Sequence, residues 1–290
     1  MASQGTDKHL HAAPAPSPKD LIHTAIWDET PEADNAFATR SARLRGYDVY
    51  GEMVGRARWI DMLWLLLRSE LPQGPQLDVL EALAVALANP GPRDGSVHAA
   101  MCGGVGGSSA ASALMAALAV GAGRCGGARE VHDAITMWHS CGPDLSAWAA
   151  YNTGGERETV DVWPERSHVP GFDPHGVSTP LAVRQLLATL TELGAGPYTA
   201  WLHAQVSLGR EDHARAAVGL PLAISGVAAC VLNDLGFSPD EGEMLYLLLR
   251  LPGAAAHALE QKSTGFKQFP FYKLELDPAA TPAMHLQEAA

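Results

Sequence analysis

"GVAACVLNDLGFSPDEGEMLYLLLRLPGAAAHALEQ", residues 226–261, is the stretch that decides the fold. Apolar side chains recur in it at spacings of three and four residues, which is typical of helices that bury one face. Residues 236–239 ("GFSP") interrupt this spacing with turn-forming side chains. The stretch therefore predicts two strong helices joined by a short turn, and it favours a helical protein.

The composition of the whole chain favours the same class. Of 290 residues, 47% are hydrophobic and only 7% are aromatic, and alanine supplies much of the apolar content, which favours packed helices over sheets. Helical spacing also occurs at 58–70, 75–89, 110–120, 126–140, 180–193, 197–208 and 211–218. No segment shows the alternation of a strand. We expect an all-α protein with an irregular segment before residue 58 and another from about 141 to 173.

Charge, cysteines and apolar runs exclude several classes. The formal net charge is −12, so a nucleic-acid partner, which needs a basic face, is not expected. Four widely spaced cysteines without a CxxC pair predict neither a disulfide framework nor a structural zinc site. Residues 1–20 lack an apolar core and are interpreted as a flexible tail, and the longest apolar run is too short to cross a membrane. We expect a soluble cytoplasmic protein.

The glycine-rich and histidine-rich motifs carry little chemistry. "GGVGG" at 103–107 follows no strand, so it is interpreted as a segment of close backbone approach or a hinge, and not as a dinucleotide site. Ser225 lacks the flanking glycines of a hydrolase nucleophile. His132, His139 and Cys141 have no further ligand at suitable spacing, so no metal site is expected.

Two places are more informative. Arg250 lies in a very apolar helix, so it must find an anion or face a cleft, with a structural ion pair as the alternative. The loop "VPGFDPHGVSTP", residues 169–180, puts Asp173 and His175 on either side of Pro174. Both side chains are suited to proton transfer, although a purely structural loop is the competing interpretation.

Read in order, six segments resemble the citrate synthase superfamily, in particular its short citryl-CoA-lyase-like members. They are "RGYDVYGEMVGRARWIDMLWLLLRSELP", "NPGPRDGSVHAAM", "GAGRCGGARE", "VPGFDPHG", "GLPLAISGVAACVLNDLGF" and "LLRLPGAAAHALEQ". The resemblance implies an all-α homodimer. It also implies a large helical domain of residues 21–126 and 227–290, with a smaller helical domain inserted at 127–226.

The resemblance also implies chemistry on a CoA thioester. Enzymes of this superfamily join or split a carbon–carbon bond between an acyl-CoA and an oxo acid, using an aspartate base and two histidines that bind the thioester and ketone oxygens. Here Cys125 stands at the first histidine and Ser225 at the aspartate. The second histidine is displaced by one position to His175, and Asp173 replaces the glycine of the family loop.

Asp173 and His175 are therefore the predicted catalytic residues, as base and electrophile. The predicted substrate-binding residues are Arg250, His98, Arg124, Cys125 and Ser225. Arg250 matches the superfamily pattern and implies that a small carboxylate binds. The predicted substrate is an acyl-CoA thioester with an oxo or hydroxy acid, and no tightly bound cofactor is expected. The alternative is an inactive relative that senses a ligand or binds a partner as a homodimer.

Overall fold

The structure, a computed structural model, describes residues 22–151, 168–207, 212–270 and 272–275. The predicted tail at 1–20 lies outside these ranges. Contacts within the chain divide it into two units, Met1–Pro72 and Gln73–Ala290.

The first unit contains a small antiparallel sheet. Its strands are β1 (Trp27–Pro31), β2 (Thr39–Leu44) and β3 (Tyr47–Asp48), in the order β1-β2-β3. The prediction that this segment has no strand was wrong. All five residues of β1 are exposed, so no alternation of burial marks it in the sequence. Backbone pairing and a two-residue turn with positive φ, 47° at Arg45 and 93° at Gly46, form the β2–β3 hairpin instead.

The sheet leads into a helical segment. A five-residue π-helix, Val49–Met53, follows β3, and α1 spans Trp59–Leu67. Leu44, Val49, Met53 and Leu65 form the buried cluster of this unit. The Arg45 side chain, at the hairpin turn, donates from Nε to the carbonyl of Leu65 at 2.7 Å. The turn that the strands require therefore also stabilises the carboxyl end of α1.

The regular elements of the second unit, within the described ranges, are helices, and one isolated antiparallel bridge joins Phe172 and Leu222. Its helices are α2 (Gln76–Leu87), α3 (Gly95–Val105), α4 (Ala110–Gly121), α5 (Ala128–Cys141), α6 (Leu145–Tyr151), α7 (Leu181–Glu192), α8 (Pro197–Ser207), α9 (His213–Val218), α10 (Ile224–Asp234), α11 (Pro239–Thr264) and a 3-10 turn, Phe266–Gln268. The mainly helical class is confirmed, and so are the two helices and the turn predicted within 226–261. Among the described helices, none combines the length and the apolar character needed to cross a bilayer.

The long helix α11 organises this unit. Ser238 and Glu241 form a capping box at its start, as Ser109 caps α4. Inside it, Pro252 has no N–H to donate, and the next N–H, of Gly253, donates to the carbonyl of Ala88 at 2.7 Å. The Gly253 N–H therefore satisfies a carbonyl at the carboxyl end of α2, which would otherwise lack a partner within that helix.

The glycines of "GGVGG" permit the contact between α3 and α11. A Cβ atom at Gly104 would lie 2.1 Å from the carbonyl oxygen of Ala258, a distance that real side chains do not adopt. Gly103 and Gly104 are part of α3, and no helix was predicted there because glycine is a poor helix former. Close backbone approach, one of the two roles inferred for this motif, is what the structure contains.

Candidate functional site

A cleft of about 340 Å³ lies in the second unit, where α5 and α10 begin. Its walls include four of the predicted site residues, Cys125, Asp173, His175 and Ser225. They come from three segments that are far apart in sequence, so the fold brings them together. Arg250, His98 and Arg124 are not among the residues that line this cleft.

The loop that carries Asp173 and His175 is fastened to the start of α10. The N–H of Asp173 donates to the carbonyl of Pro221 at 2.8 Å, and the N–H of Ala223 donates to the carbonyl of Gly171 at 2.9 Å. Gly171 has φ +87°, and a Cβ atom on it would lie 2.7 Å from the Cα of Gly226. Glycine at both positions therefore allows the loop to reach the helix, which places Asp173 on the cleft wall.

Asp173 and His175 form a tight local turn. The backbone N–H of His175 donates to Oδ1 of Asp173 at 2.8 Å, which fixes the carboxylate next to the histidine. His175 is exposed and Asp173 is partly buried. The pair thus presents one carboxylate and one imidazole to the same cleft, in a loop with a defined backbone.

The start of α5 carries its own carboxylate. Glu130 lies in the first turn of this helix and is 2% exposed. Its Oε1 accepts the N–H of Gly171 at 2.9 Å and lies 3.4 Å from Nε2 of His168, while its Oε2 accepts the N–H of Gly126. A buried negative charge therefore joins the Cys125–Gly126 turn, the start of α5 and the loop of Asp173.

The carbonyl of Gly126 is held from the other side by α11. The hydroxyl of Tyr246 donates to it at 3.3 Å, and Nη1 of Arg250 donates at 3.2 Å. Burial is the main cause that raises the pKa of Tyr246 to about 12, so this hydroxyl stays protonated at neutral pH. Hydrogen bonds therefore hold the backbone of Gly126 on both sides, at its N–H and at its carbonyl, and this fixes the backbone next to Cys125 at the cleft.

Arg250 also pairs with Asp94, the residue that caps α3. The arginine is 7% exposed, and its guanidinium donates to Asp94 and Gly126 and lies over the Tyr246 ring, 4.7 Å from its centroid. This geometry corresponds to the structural ion pair that the sequence left open as the alternative. The role of Arg250 in binding a substrate carboxylate remains a prediction.

The two weaker predicted residues lie in other contacts. Arg124 and Arg129 each place Nε 3.5 Å from a carboxylate oxygen of Asp133. The ring of His98, on α3, stacks on that of Phe269 with centroids 5.6 Å apart. Neither arrangement reaches into the cleft.

The start of α10 differs from that of α5. Neither N-cap, Gly127 at α5 nor Ala223 at α10, has a capping side chain, but α10 has no acidic residue in its first turn where α5 has Glu130. Ser225, two residues on, is 0% exposed, and its hydroxyl has no hydrogen-bond partner among the residues that the structure describes. The wall of the cleft therefore contains an uncapped helix start and a buried hydroxyl.

One group of side chains outside the cleft has metal-ligand character. Ligand atoms of His132, Asp240 and Glu243 lie within 4.8 Å of one another, the one such group found within the described ranges. Nη1 of Arg129 is 3.7 Å from Glu243, and a cation already beside this carboxylate disfavours a metal ion.

Sequence reasoning missed Glu130 and Tyr246. Glu130 had a recognisable signal in the sequence, because it lies three residues after Gly127, the N-cap of α5, and an acidic residue at this position is typical of a helix start. Tyr246 had no such signal, since its partner Gly126 is 120 residues away in sequence.

Comparisons with known proteins identify the fold. No protein-family model matches the chain, and no curated protein matches it either. Among solved structures, the citryl-CoA lyase from Hydrogenobacter thermophilus is 19% identical with a TM-score of 0.64, over 90% of this chain and 98% of that one.

Two larger enzymes also have structures similar to that of this chain. An ATP citrate lyase from Methanothrix soehngenii, in complex with citrate and coenzyme A, is 17% identical with a TM-score of 0.63, over 92% of this chain. A mutant ATP citrate lyase from Methanosaeta concilii, in complex with (3S)-citryl-CoA, is 16% identical with a TM-score of 0.62, over 92% of this chain. The chain matches 43% of the length of each. It therefore has the citryl-CoA lyase fold, a helical structure of the citrate synthase type.

Proposed function

We propose that this protein cleaves or forms a carbon–carbon bond between a CoA thioester and an oxo or hydroxy carboxylic acid, as a citryl-CoA lyase or citrate synthase type enzyme with non-standard catalytic residues. The observation that carries the proposal is one cleft lined by Cys125, Asp173, His175 and Ser225. Support also comes from the fold, because similar structures were determined with citrate, coenzyme A and citryl-CoA.

The cleavage direction assigns a role to each catalytic residue. The Asp173 carboxylate accepts the hydroxyl proton of a 3-hydroxyacyl-CoA while the carbon–carbon bond breaks, and the oxygen becomes the carbonyl of the oxo acid. The electron pair of the broken bond passes to the acyl-CoA as an enolate, whose carbon then takes up a proton. His175 donates a hydrogen bond to the oxo oxygen.

The first experiment measures turnover of citryl-CoA to acetyl-CoA and oxaloacetate. Asp173→Asn and His175→Gln should each lower kcat/KM by about 100-fold or more, the usual scale for a lost general acid or base. Glu192→Gln, at the end of α7, and His139→Gln, at the far end of α5, are matched controls on exposed side chains and should leave turnover unchanged. Full activity in both cleft variants would contradict the proposal.

A second candidate function is a non-catalytic ligand binder of the same fold. The observation in its favour is the pairing of Arg250 with Asp94, since this occupies a cation that the resemblance assigns to a substrate carboxylate. This candidate predicts that CoA or a carboxylic acid raises the Tm of the wild type while citryl-CoA is not consumed. Turnover that depends on Asp173 would exclude it.

We further propose a cytoplasmic homodimer that forms through α4. This helix has no charged residue, and Met115 and Val120 on it remain 60% and 52% exposed. A helix that is apolar all round is normally covered. Met115→Glu should give a monomer in size-exclusion chromatography with light scattering. The control is Val85→Glu, at a 73% exposed aliphatic position on α2, which should leave the mass unchanged.

We also propose the domain division that the sequence predicts, a large domain of residues 21–126 and 227–290 and a smaller one of residues 127–226. If residues 127–226 form the smaller domain, the chain passes between domains after Gly126 and after Gly226. Cys125, Gly126 and Ser225 line the cleft near these two points. The cleft would then lie where the domains meet, a usual place for a ligand site.

A further inference from the structure

The start of α10 forms a wall of the cleft through four consecutive residues, Leu222, Ala223, Ile224 and Ser225. The Ala223 N–H is used by the carbonyl of Gly171. The N–H groups of Ile224 and Ser225, which line the cleft, belong to the first turn and have no acceptor within the helix. Ala223 cannot supply one because its side chain is a methyl group. This helix start therefore has donors to offer to another molecule.

Ser225 is an independent observation that points to a ligand. Its side chain is fully buried in the cleft wall, and its Oγ has no hydrogen-bond partner among the described residues. Buried polar groups in folded proteins are nearly always hydrogen-bonded, so a hydroxyl of this kind requires a partner from outside the described fold.

The local charge specifies what that partner is. A helix start carries partial positive charge, and at α5 the carboxylate of Glu130 compensates it. At α10 the N-cap position offers no such group. The uncompensated positive potential in the cleft wall therefore lies beside Ser225, and an anion is the complementary ligand.

A carboxylate fits better than a phosphate. Its two oxygens match a short set of donors, the Ser225 hydroxyl and the N–H groups of the first turn. The acidic side chains of Glu130 and Asp173 also line the cleft, and they would repel a phosphate group, which brings up to two negative charges to the α10 start, more than a carboxylate group, which brings one.

We propose that the start of α10, with the hydroxyl of Ser225, binds one carboxylate group of the ligand. This inference rests on the proposed function in that the same cleft holds the substrate, and it makes the carboxylic acid a recognised part of that substrate. The position that the superfamily pattern gives to an aspartate base would then have the opposite role, since a hydroxyl replaces a negative charge at a helix start.

The test compares two serines that each lie in the first turn of a helix. Ser225→Asp puts a carboxylate where the ligand's would bind, whereas Ser146→Asp puts the same charge in the first turn of α6, outside the cleft. Malonate, measured by Tm and by calorimetry, should bind the wild type and Ser146→Asp equally and should not bind Ser225→Asp. Ser225→Ala should weaken binding about ten-fold, as expected for a lost hydrogen bond to a charged group.

Several results would overturn the inference. These are no response of the wild type to malonate, equal binding by Ser225→Asp, and a phosphate response as strong as that of malonate. If Ser225→Asp does not fold, as judged by circular dichroism, an unchanged malonate Kd in Ser225→Ala overturns it instead.

A parallel series with CoA and acetyl-CoA separates this inference from the proposed function. Malonate binding that depends on Ser225, without any response to CoA thioesters or turnover, would leave the carboxylate site standing and remove the enzyme proposal. Citryl-CoA turnover with malonate binding indifferent to Ser225 would do the reverse.

Discussion

The helices α5 and α10 both begin at the same cleft, neither N-cap has a capping side chain, and only α5 has a carboxylate in its first turn. At α5 the fold supplies a buried carboxylate, Glu130, which accepts the N–H groups of Gly126 and Gly171. At α10 the N-cap is Ala223 and the hydroxyl of Ser225 has no partner among the described residues. The first helix start therefore has a negative charge from the chain itself, whereas the second has none and is complementary to an anionic ligand. The difference separates a residue that stabilises the site from one that is available for binding.

The largest effect on stability is expected at the start of α5. Glu130→Ala removes a buried charge that two backbone N–H groups require, and should lower the free energy of unfolding by about 3 kcal/mol. Urea unfolding measures it. Glu192→Ala, on an exposed glutamate, is the control and should change this free energy by less than about 0.5 kcal/mol. A similar small change for Glu130→Ala would mean that the α5 start does not depend on its carboxylate.

The next effect concerns how the loop of Asp173 reaches α10. A Cβ atom at Gly226 would lie 2.3 Å from the carbonyl oxygen of Gly171, so Gly226→Ala must move backbone and should cost about 1–3 kcal/mol of unfolding free energy. It should also weaken ligand binding in the cleft. In the control, Gly123→Ala, the nearest atom to the new Cβ is the Val120 oxygen at 3.7 Å, an ordinary contact. Equal unfolding midpoints for the two variants would contradict the close approach.

A third helix start, that of α8, should make the stability of the protein depend on pH. At α8, the Asp234 carboxylate of α10 accepts the N–H groups of Tyr198 and Thr199 at 3.1 and 2.7 Å. Burial raises the pKa of Asp234, and the hydrogen bonds from Thr199 and Tyr198 oppose this only in part.

Because the folded protein binds this proton at higher pH than the unfolded chain, the contribution of Asp234 to stability is greatest at low pH and is lost as pH rises through its folded pKa. Urea unfolding of the wild type and Asp234→Asn from pH 7 to pH 4 should therefore show the wild type gaining relative to the variant on acidification. A relative loss would mean that the hydrogen bonds outweigh burial.

The smallest stability effect is expected at the start of α10. Ser225→Ala removes a hydroxyl without a partner in the described fold, so the free energy of unfolding without ligand should change by less than about 0.5 kcal/mol. A loss above about 1 kcal/mol in urea unfolding would show that the hydroxyl stabilises the fold itself, and would remove the contrast with Glu130.

Much of the helical fold follows from sequence because the signal is local. The turn at 236–239 and the apolar spacing of α10 and α11 are each contained in short windows, and each predicted the element that forms. The sheet was missed because β1 is exposed along its whole length, so backbone pairing forms it without a side-chain pattern. The helix α3 was missed because its glycines serve the contact with α11.

The sequence by itself determined which reactive side chains exist and that Asp173 and His175 share a loop. Only the tertiary structure decided that Cys125 and Ser225 line the same cleft and that Arg250 pairs with Asp94. It also decided that the first turn of α5 contains a buried carboxylate, Glu130, and that the first turn of α10 contains a buried hydroxyl, Ser225. The physical reason is that helix formation depends on neighbours within a few residues, whereas burial, ion pairing and hydrogen-bond satisfaction depend on residues that only the folded chain brings together.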